Sequence, residues 1–404
     1  MTTPSRPLEG MLVLDLGQIY NGPYCGLLLG FMGARVLKIE SPEGDIVRRR
    51  KRSVEPYPLV MLNSNKESVV LDLKQPEGKK LFRALAKQAD IVVENFAVGV
   101  MDRLGLGYEV LRQDNPRLVY GTGTGFGLDG PYRDLPAMDL TIQAMSGIMN
   151  ATGYADRPPV KAGPAVCDFL AGVHLFAGIM SALLHRERTG QGQLVEVAML
   201  DAAVIALASA LGVHMDGDAK VPPRTGNRHP ALAMAPYNVY ATSDGYVAIF
   251  TASDRHWHSV ARVLGREDLL DDADYATTPK RAARVEEIDA LVSAWTGTRT
   301  KTQVMAQLTE AHVPCAPVQT AGEVANDPHL LARGYWADLE HPRRGRIRVP
   351  NSPIRLHGAE AGVAARPAPL LGQDTDRVLG ELLGLDADEL GALHAAGVIE
   401  PVKT

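Results

Sequence analysis

The chain is short of cysteine, carries no strong excess of charge and is expected to lack a secretory leader, and each of these lacks removes a class of function. Three cysteines in 404 residues, Cys25, Cys167 and Cys315, are too few and too scattered for a disulfide framework or a zinc site. A reducing compartment suits that usage. A net charge of −5 lacks the basic footprint of a nucleic-acid binder, so no nucleic acid is expected as a partner and any basic patch must be local. The N-terminal Met-Thr-Thr-Pro-Ser-Arg-Pro has no signal-peptide core, and no uncharged window is expected to reach the roughly 18 residues of a bilayer span. The chain is therefore read as cytoplasmic, without a membrane partner. Neither a Gly-Lys-Ser/Thr phosphate loop nor a His-Glu-x-x-His pair is present, so nucleotide hydrolysis and zinc hydrolysis lack a signature, and no metal is expected.

What remains is an ordinary globular composition, 46% hydrophobic and 22% charged, in a chain long enough for two domains. Met11 to Leu16, a helical stretch Gly22 to Gly33 opened by Gly-Pro, and Arg35 to Glu40 make a βαβ opening. Strands are expected again at Ser68–Leu73, Asp90–Glu94, Arg117–Tyr120 and Gln193–Val197, with helices at Glu77–Gln88, near Tyr108–Arg112 and at Asp201–Val213. Strands alternating with helices predict an α/β fold on a doubly wound parallel sheet. At Pro222, Pro223, Gly226 and Pro230 the composition changes, and Tyr237–Tyr240 with Tyr246–Phe250 flank Ser243-Asp-Gly245 as a hairpin. Helical patterns follow at His256–Leu264, Val285–Trp295 and Lys301–Ala311, short strands near Pro350, and a helical tail from Thr375 to Val398. Residues 1–220 are read as the first part of a large domain, 221–330 as a smaller α+β domain, and 331–404 as a return segment with terminal helices.

One stretch, Lys161 to Gly172, delivers a lone carboxylate, Asp168, onto the first turn of a long apolar helix. Gly163 and Pro164 break what precedes it, and Phe169, Val173, Phe176, Met180 and Leu184 recur at the spacing of one helical face. The helix is expected to end near Arg188, before Gly190. An aspartate there has an ordinary reading as an N-cap. Against it, position 171 holds no Glu or Gln to complete a capping box, and Gly172 costs a helix about 1 kcal/mol relative to alanine. Gly172 is expected to leave open space beside the carboxylate, and free helix N–H groups to stabilise an oxyanion, which suits acyl chemistry.

Other motifs have plainer readings. Gly125-Phe-Gly-Leu-Asp-Gly130 matches a dinucleotide fingerprint only in spacing, because Pro131 and Pro136 make a loop where a helix should open. Cys167 and His174 lie about 10 Å apart along a helix, too far for a nucleophile and its base. Cys167 reads as a small buried hydrophobe and His174 as a packed or surface histidine. Arg48-Arg-Arg-Lys-Arg52 reads as a solvated face, or alternatively as a grip on phosphates.

Taken together, a set of short segments resembles the class III CoA-transferases, the CaiB/BaiF group that includes formyl-CoA and carnitine CoA-transferases. The segments are Gly22-Pro23, Gly33-Ala34, Lys38-Ile-Glu40, Asn63-Ser-Asn-Lys66 before Leu71-Asp-Leu73, Val93-Glu-Asn-Phe96 and Asp102-Arg-Leu-Gly105. Gln143 to Gly147, the Asp168 stretch, Thr189-Gly-x-Gly192 and Ala198-Met-Leu-Asp-Ala202 complete it, so the likeness covers nearly the whole chain. The resemblance implies that Asp168 is the nucleophile. It implies CoA contacts from Tyr20, Asn21, Asn63, Lys66, Asn95, Phe96 and Arg103, with Thr124, Gly125 and Met199 flanking the thioester. It also implies a large domain built from both chain ends, an interlocked homodimer, and CoA or acyl-CoA as substrate with no tightly bound cofactor. CoA's phosphates need a few cations, and Lys66, Arg103 and Arg48 are the candidates.

The chain departs from those relatives in places. Gly226-Asn-Arg-His-Pro230 stands where formyl-CoA transferase has a run of glycines, and Thr124 where it has a lysine. Arg228 or His229 could meet a second carboxylate of a dicarboxylate substrate. The acyl-CoA racemases of the same fold carry a catalytic histidine where this chain has Met138, and racemisation needs two acid/base groups. Transfer of CoA between carboxylic acids is thus the leading expectation. A 2-methylacyl-CoA racemase and a non-catalytic acyl-CoA-binding protein are the alternatives, with a nicotinamide-dependent dehydrogenase behind them.

Overall fold

Short apolar runs separated by helices build one parallel sheet. In the computed structural model, which describes residues 6–49, 55–217, 221–359 and 361–399, its strands are β1 (Leu12–Asp15), β2 (Arg35–Glu40), β3 (Lys66–Val70), β4 (Ile91–Glu94), β5 (Val119–Thr124) and β6 (Leu194–Ala198). They lie in the order β3-β2-β1-β4-β5-β6, every neighbouring pair parallel. β1, β3, β4 and β5 are buried along their whole length; β1 and β4 accordingly read as short apolar runs, whereas β3 opens on Lys66-Glu-Ser and β5 ends on alternating glycine and threonine. Only β6, at an edge, alternates between half-exposed and exposed positions before its last residue.

Three helices position the site: α1 (Asn21–Phe31), α2 (Asp139–Met145) and α3 (Val166–Thr189). α1 and α3 cover one face of the sheet, packing Leu28, Phe31, Leu175, Phe176 and Ile179 against Val13, Val36, Ile91 and Val119. On the other face, Leu81, Phe82 and Leu85 of the Pro76–Ala86 helix join Val378 and Leu379 of the Thr375–Leu383 helix over Leu14, Leu37 and Val92. Each such side chain contributes about 1.5–3 kcal/mol by leaving water. The end of the described chain is tied to the loop after β3, with Asp72 N–H donating to the Val398 carbonyl at 2.9 Å.

α3 is long and apolar enough to cross a bilayer by length and composition, contrary to the expectation that no such stretch exists. Half of its most apolar window is buried in the fold, as in the core helix of a folded domain. Gly172 corrects a second expectation. A Cβ there would lie 2.8 Å from the Asn21 carbonyl oxygen and 3.1 Å from Tyr24, so the glycine lets α1 and α3 touch and leaves no open space.

The chain divides into two units, Met1–Met145, Pro164–Ala203 and Pro328–Thr404 in one, Ser146–Gly163 and Val204–Asp327 in the other. The second unit holds an antiparallel sheet of Tyr237–Thr242, Gly245–Phe250 and Cys315–Pro317, the first two forming the expected hairpin. Its core gathers Tyr240, Val247, Trp257, Ile288, Val292 and Leu308. Arg228 is committed there, its guanidinium bonding Asp289 at 2.8 Å and Glu286 at 2.6 Å, so it is not free for a substrate carboxylate. The helix expected over Asp201–Val213 is broken by a 3-10 turn at Ile205–Leu207 between Met199–Val204 and Ala208–Met215.

Candidate active site

Strand order reverses between β1 and β4, because the chain leaves β1 toward β2 and β3 and returns to place β4 on β1's other side. In open α/β sheets, the crevice beyond the carboxyl ends of such strands is where ligands bind. Two loops meet there. Asn95, after β4, accepts the Gln18 N–H at 2.7 Å and donates to the Gln18 carbonyl at 2.9 Å, tying the loop after β1 to the loop after β4. The tied loop holds Ile19 at φ 67°, a conformation that a β-branched residue adopts only under constraint. Tyr20 and Asn21 follow directly, and Asn21 opens α1.

Asp168 faces this turn. It is the third residue of α3, 9% exposed, and accepts a backbone hydrogen bond from Asn21. Burial, followed by the carboxylate of Asp139, raises its pKa from 3.8 to about 7, against the lowering effect of the Asn21 bond. Asp168 is not the helix cap: Ala165 occupies that position and makes no side-chain cap. Capping comes instead from Asp139, the first residue of α2, whose Oδ1 accepts the N–H of Cys167 at 2.9 Å and of Asp168 at 3.4 Å. Gln143, fully buried, donates to Asp139 Oδ2 at 2.6 Å and fixes the carboxylate's orientation. The helix N–H groups expected to be free for an oxyanion are therefore occupied. Val166 N–H donates to the Pro164 carbonyl at 2.9 Å and Phe169 N–H to that of Ala165 at 3.3 Å.

Around Asp168, the Phe169 ring stacks on Tyr20, centroids 5.9 Å apart, and meets Tyr24 edge-on at 5.0 Å. Cys167 is buried, and burial with the neighbouring carboxylates pushes its thiol up to about 12, far from thiolate. His174 is spent on the Leu170 carbonyl at 2.7 Å.

The remaining residues named from sequence separate into two groups. Thr124 ends β5 and its hydroxyl accepts the Gly127 N–H at 2.9 Å, the Gly125 carbonyl accepts the Leu200 N–H at 3.0 Å, and Met199 follows β6. These three sit at the carboxyl ends of adjacent strands, with Phe96 just beyond β4. Arg103 is exposed on the Val100–Leu104 helix, and among the described residues its guanidinium has no acidic partner. Lys66 and Asn63 are different. The Lys66 ammonium has a side-chain exposure of 0% and donates to Asp15 at 2.6 Å, the Pro23 carbonyl at 2.9 Å and Asn63 at 3.0 Å. With its three N–H groups spent inside the fold, Lys66 holds β3 to β1 and α1 rather than waiting for a phosphate, and Asn63 is part of the same buried knot. Arg48 is likewise corrected from a solvated face: it pairs with Glu40 at 2.8 Å and Glu55 at 3.3 Å, while positions 50–52 of that run lie outside the described residues.

Two features weigh against a dinucleotide. Gly125 to Gly130 is followed by turns rather than a helix. Glu40, at the end of β2 where such sheets place the ribose ligand, is buried in its pair with Arg48. Sequence reasoning missed the capping role of Asp139 and the buried Glu94, which closes β4, accepts the Phe96 N–H at 2.7 Å and is raised by burial to about 7. The missing capping box at Asp168 was the one sign that a cap must come from elsewhere.

The model of CoA-transferase family III matches residues 8–375. The chain belongs to CoA-transferase family III. It is 37% identical over 386 residues to succinyl-CoA:mesaconate CoA-transferase of Haloarcula hispanica, covering 93% of this chain and 96% of that one. Succinyl-CoA–D-citramalate CoA-transferase of Chloroflexus aurantiacus is also 37% identical, over 403 residues, covering 98% and 99%. Among solved structures, a CAIB/BAIF family protein from Brucella suis matches with a TM-score of 0.83 and 35% identity, covering 93% of this chain and 99% of that one. The protein is thus an enzyme of the family III CoA-transferases, with the family's parallel six-stranded α/β sheet.

Proposed function

We propose that this chain moves CoA from an acyl-CoA donor to a free carboxylic acid through Asp168. The observation that carries the reading is the carboxyl of Asp168 itself, withdrawn from water, bonded to Asn21 at the start of α1 and stripped of the capping role that would otherwise account for it. Asp168 attacks the donor thioester, giving a mixed anhydride and CoA thiolate. The thiolate then attacks the aspartyl carbonyl, releases the donor acid and leaves CoA on Asp168 as a thioester. The acceptor acid repeats these steps in reverse and restores the carboxylate.

CoA lies over the carboxyl ends of β1 and β4 in this reading, against Tyr20, the backbone of Asn21, Asn95 and Phe96, with Thr124, Gly125 and Met199 beside the thioester. Arg103 is the cation that remains for its phosphates once Lys66 and Arg48 are assigned to the core. Met138, 58% exposed before Asp139, supplies no acid or base, which favours transfer over racemisation. CoA is a substrate and no cofactor is tightly held. The enzyme acts in the cytoplasm as a homodimer, for which exposed Val173 and Leu184 on α3, Leu194 on β6, and Ile205 and Met215 in the second unit offer apolar surface.

The test is a panel of acyl-CoA donors against free acids read by mass spectrometry, starting from succinyl-CoA with mesaconate and D-citramalate. Wild-type protein incubated with its donor and hydroxylamine should carry a hydroxamate on the peptide containing Asp168. Transfer without that label, or a label elsewhere, refutes the assignment.

A further inference from the structure

Both polar atoms of the Asn21 side chain, Oδ1 and Nδ2, are buried without a hydrogen-bond partner among the described residues, and the residue is only 1% exposed. Leaving an amide buried and unpaired is destabilising, and folded proteins seldom tolerate it without a reason. Its surroundings are built to hold it. The amide lies against Gly123 of β5, where a Cβ would stand 2.8 Å from Nδ2 and 3.0 Å from Oδ1, so any side chain at 123 would expel it. The same residue's backbone bonds the Asp168 carboxyl, and its carbonyl packs against Gly172, one turn along α3.

The start of α3, the ordinary source of oxyanion donors, offers none. Its first four N–H groups are committed to Pro164, Asp139 and Ala165. An uncommitted amide on the residue whose backbone bonds that carboxyl, beside a helix start that is fully capped, is what a reaction at the carboxyl's carbon would use.

We infer that the Asn21 side-chain amide is a catalytic donor for the oxyanion that forms on Asp168 itself, an inference that rests on the mechanism proposed above. When CoA thiolate adds to Asp168 Cγ, the carbonyl electron pair moves onto the aspartyl oxygen, and Nδ2–H donates to it. Collapse breaks the Cγ–O bond, expels the donor carboxylate and leaves the Cγ–S bond. Addition of the acceptor carboxylate to that thioester passes through the same oxyanion and expels CoA thiolate. The two other additions, at the carbons of the donor and acceptor acyl groups, place their oxyanions elsewhere and do not use Asn21.

The variant is Asn21→Leu, close in shape and without donors, with Asn21→Ala in reserve should the leucine fail to fold. CoA loading on Asp168 from donor acyl-CoA alone is followed by intact-protein mass, beside CoA affinity and melting temperature. Loading should slow about 100- to 1,000-fold, the usual effect of losing one oxyanion donor, with CoA affinity unchanged and melting temperature equal or higher. Loading at the wild-type rate overturns the inference. So does a lowered melting temperature accompanying the loss, which marks a structural amide, or a loss confined to CoA affinity, which marks a ground-state contact. Wild-type protein that never carries CoA on Asp168 removes the underlying mechanism, and this role of Asn21 with it.

Discussion

Asp168→Asn separates a nucleophile from a structural aspartate in two measurements. Burial holds the Asp168 carboxyl at about 7 instead of 3.8. Each pKa unit is 1.36 kcal/mol of differential interaction, so ionising Asp168 in the folded protein costs roughly 4 kcal/mol in all. The folded state binds this proton more tightly than the unfolded chain, so the contribution is present in full below pH 4. It is lost at about 1.4 kcal/mol per unit as pH rises toward 7. Asparagine fills the same space and never ionises. The stability of the variant relative to wild type should therefore grow by roughly 3 kcal/mol between pH 5 and pH 8 and level off above. Denaturant unfolding across that range reads the difference directly. Turnover should vanish in the variant at every pH, while wild-type CoA loading should rise with pH through about 7 as the carboxylate forms. A stability difference that does not change with pH would show Asp168 to be ordinarily solvated, and surviving activity would falsify its role as nucleophile.

Arg103→Ala should weaken CoA binding tenfold to a hundredfold by calorimetry, the loss of about 1.5–3 kcal/mol for a charge-assisted bond to phosphate. Its melting temperature should stay put, because the guanidinium is exposed and unpaired among the described residues; unchanged affinity removes Arg103 from the site. Lys66→Met should destabilise the fold by about 3–5 kcal/mol in urea unfolding, since it leaves Asp15 buried without its partner. An intact fold with lost CoA affinity would return Lys66 to the phosphate site. Sedimentation at falling concentration should show a dimer and no folded monomer, and a stable folded monomer contradicts the proposed assembly.

How much of this was legible beforehand depends on the range of the interaction that decides it. The strand Arg35–Glu40 and the hairpin around Ser243-Asp-Gly245 appear where periodicity and turn residues place them, because both signals are local. Asp168 was legible as a carboxylate on a helix's first turn for the same reason. Its environment was not. The residue that caps its helix, Asp139, lies 28 positions from Cys167, in a stretch whose sequence carries no mark of that contact. Gly172 was misread because a glycine's lack of side chain looks like free space until the opposing helix is known, and here the Asn21 carbonyl fills it.

By itself the sequence determined the alternation of strands and helices, the family and the identity of the carboxylate to test, all of which rest on local pattern or on segments matched one by one. Tertiary structure alone decided which charges are available. Lys66 and Arg103 look alike in sequence, yet one is buried against Asp15, 51 positions away, and the other stands in solvent. Burial and pairing depend on residues distant in the chain, and they set the ionisation of Asp168, the commitment of its helix N–H groups and the isolation of the Asn21 amide.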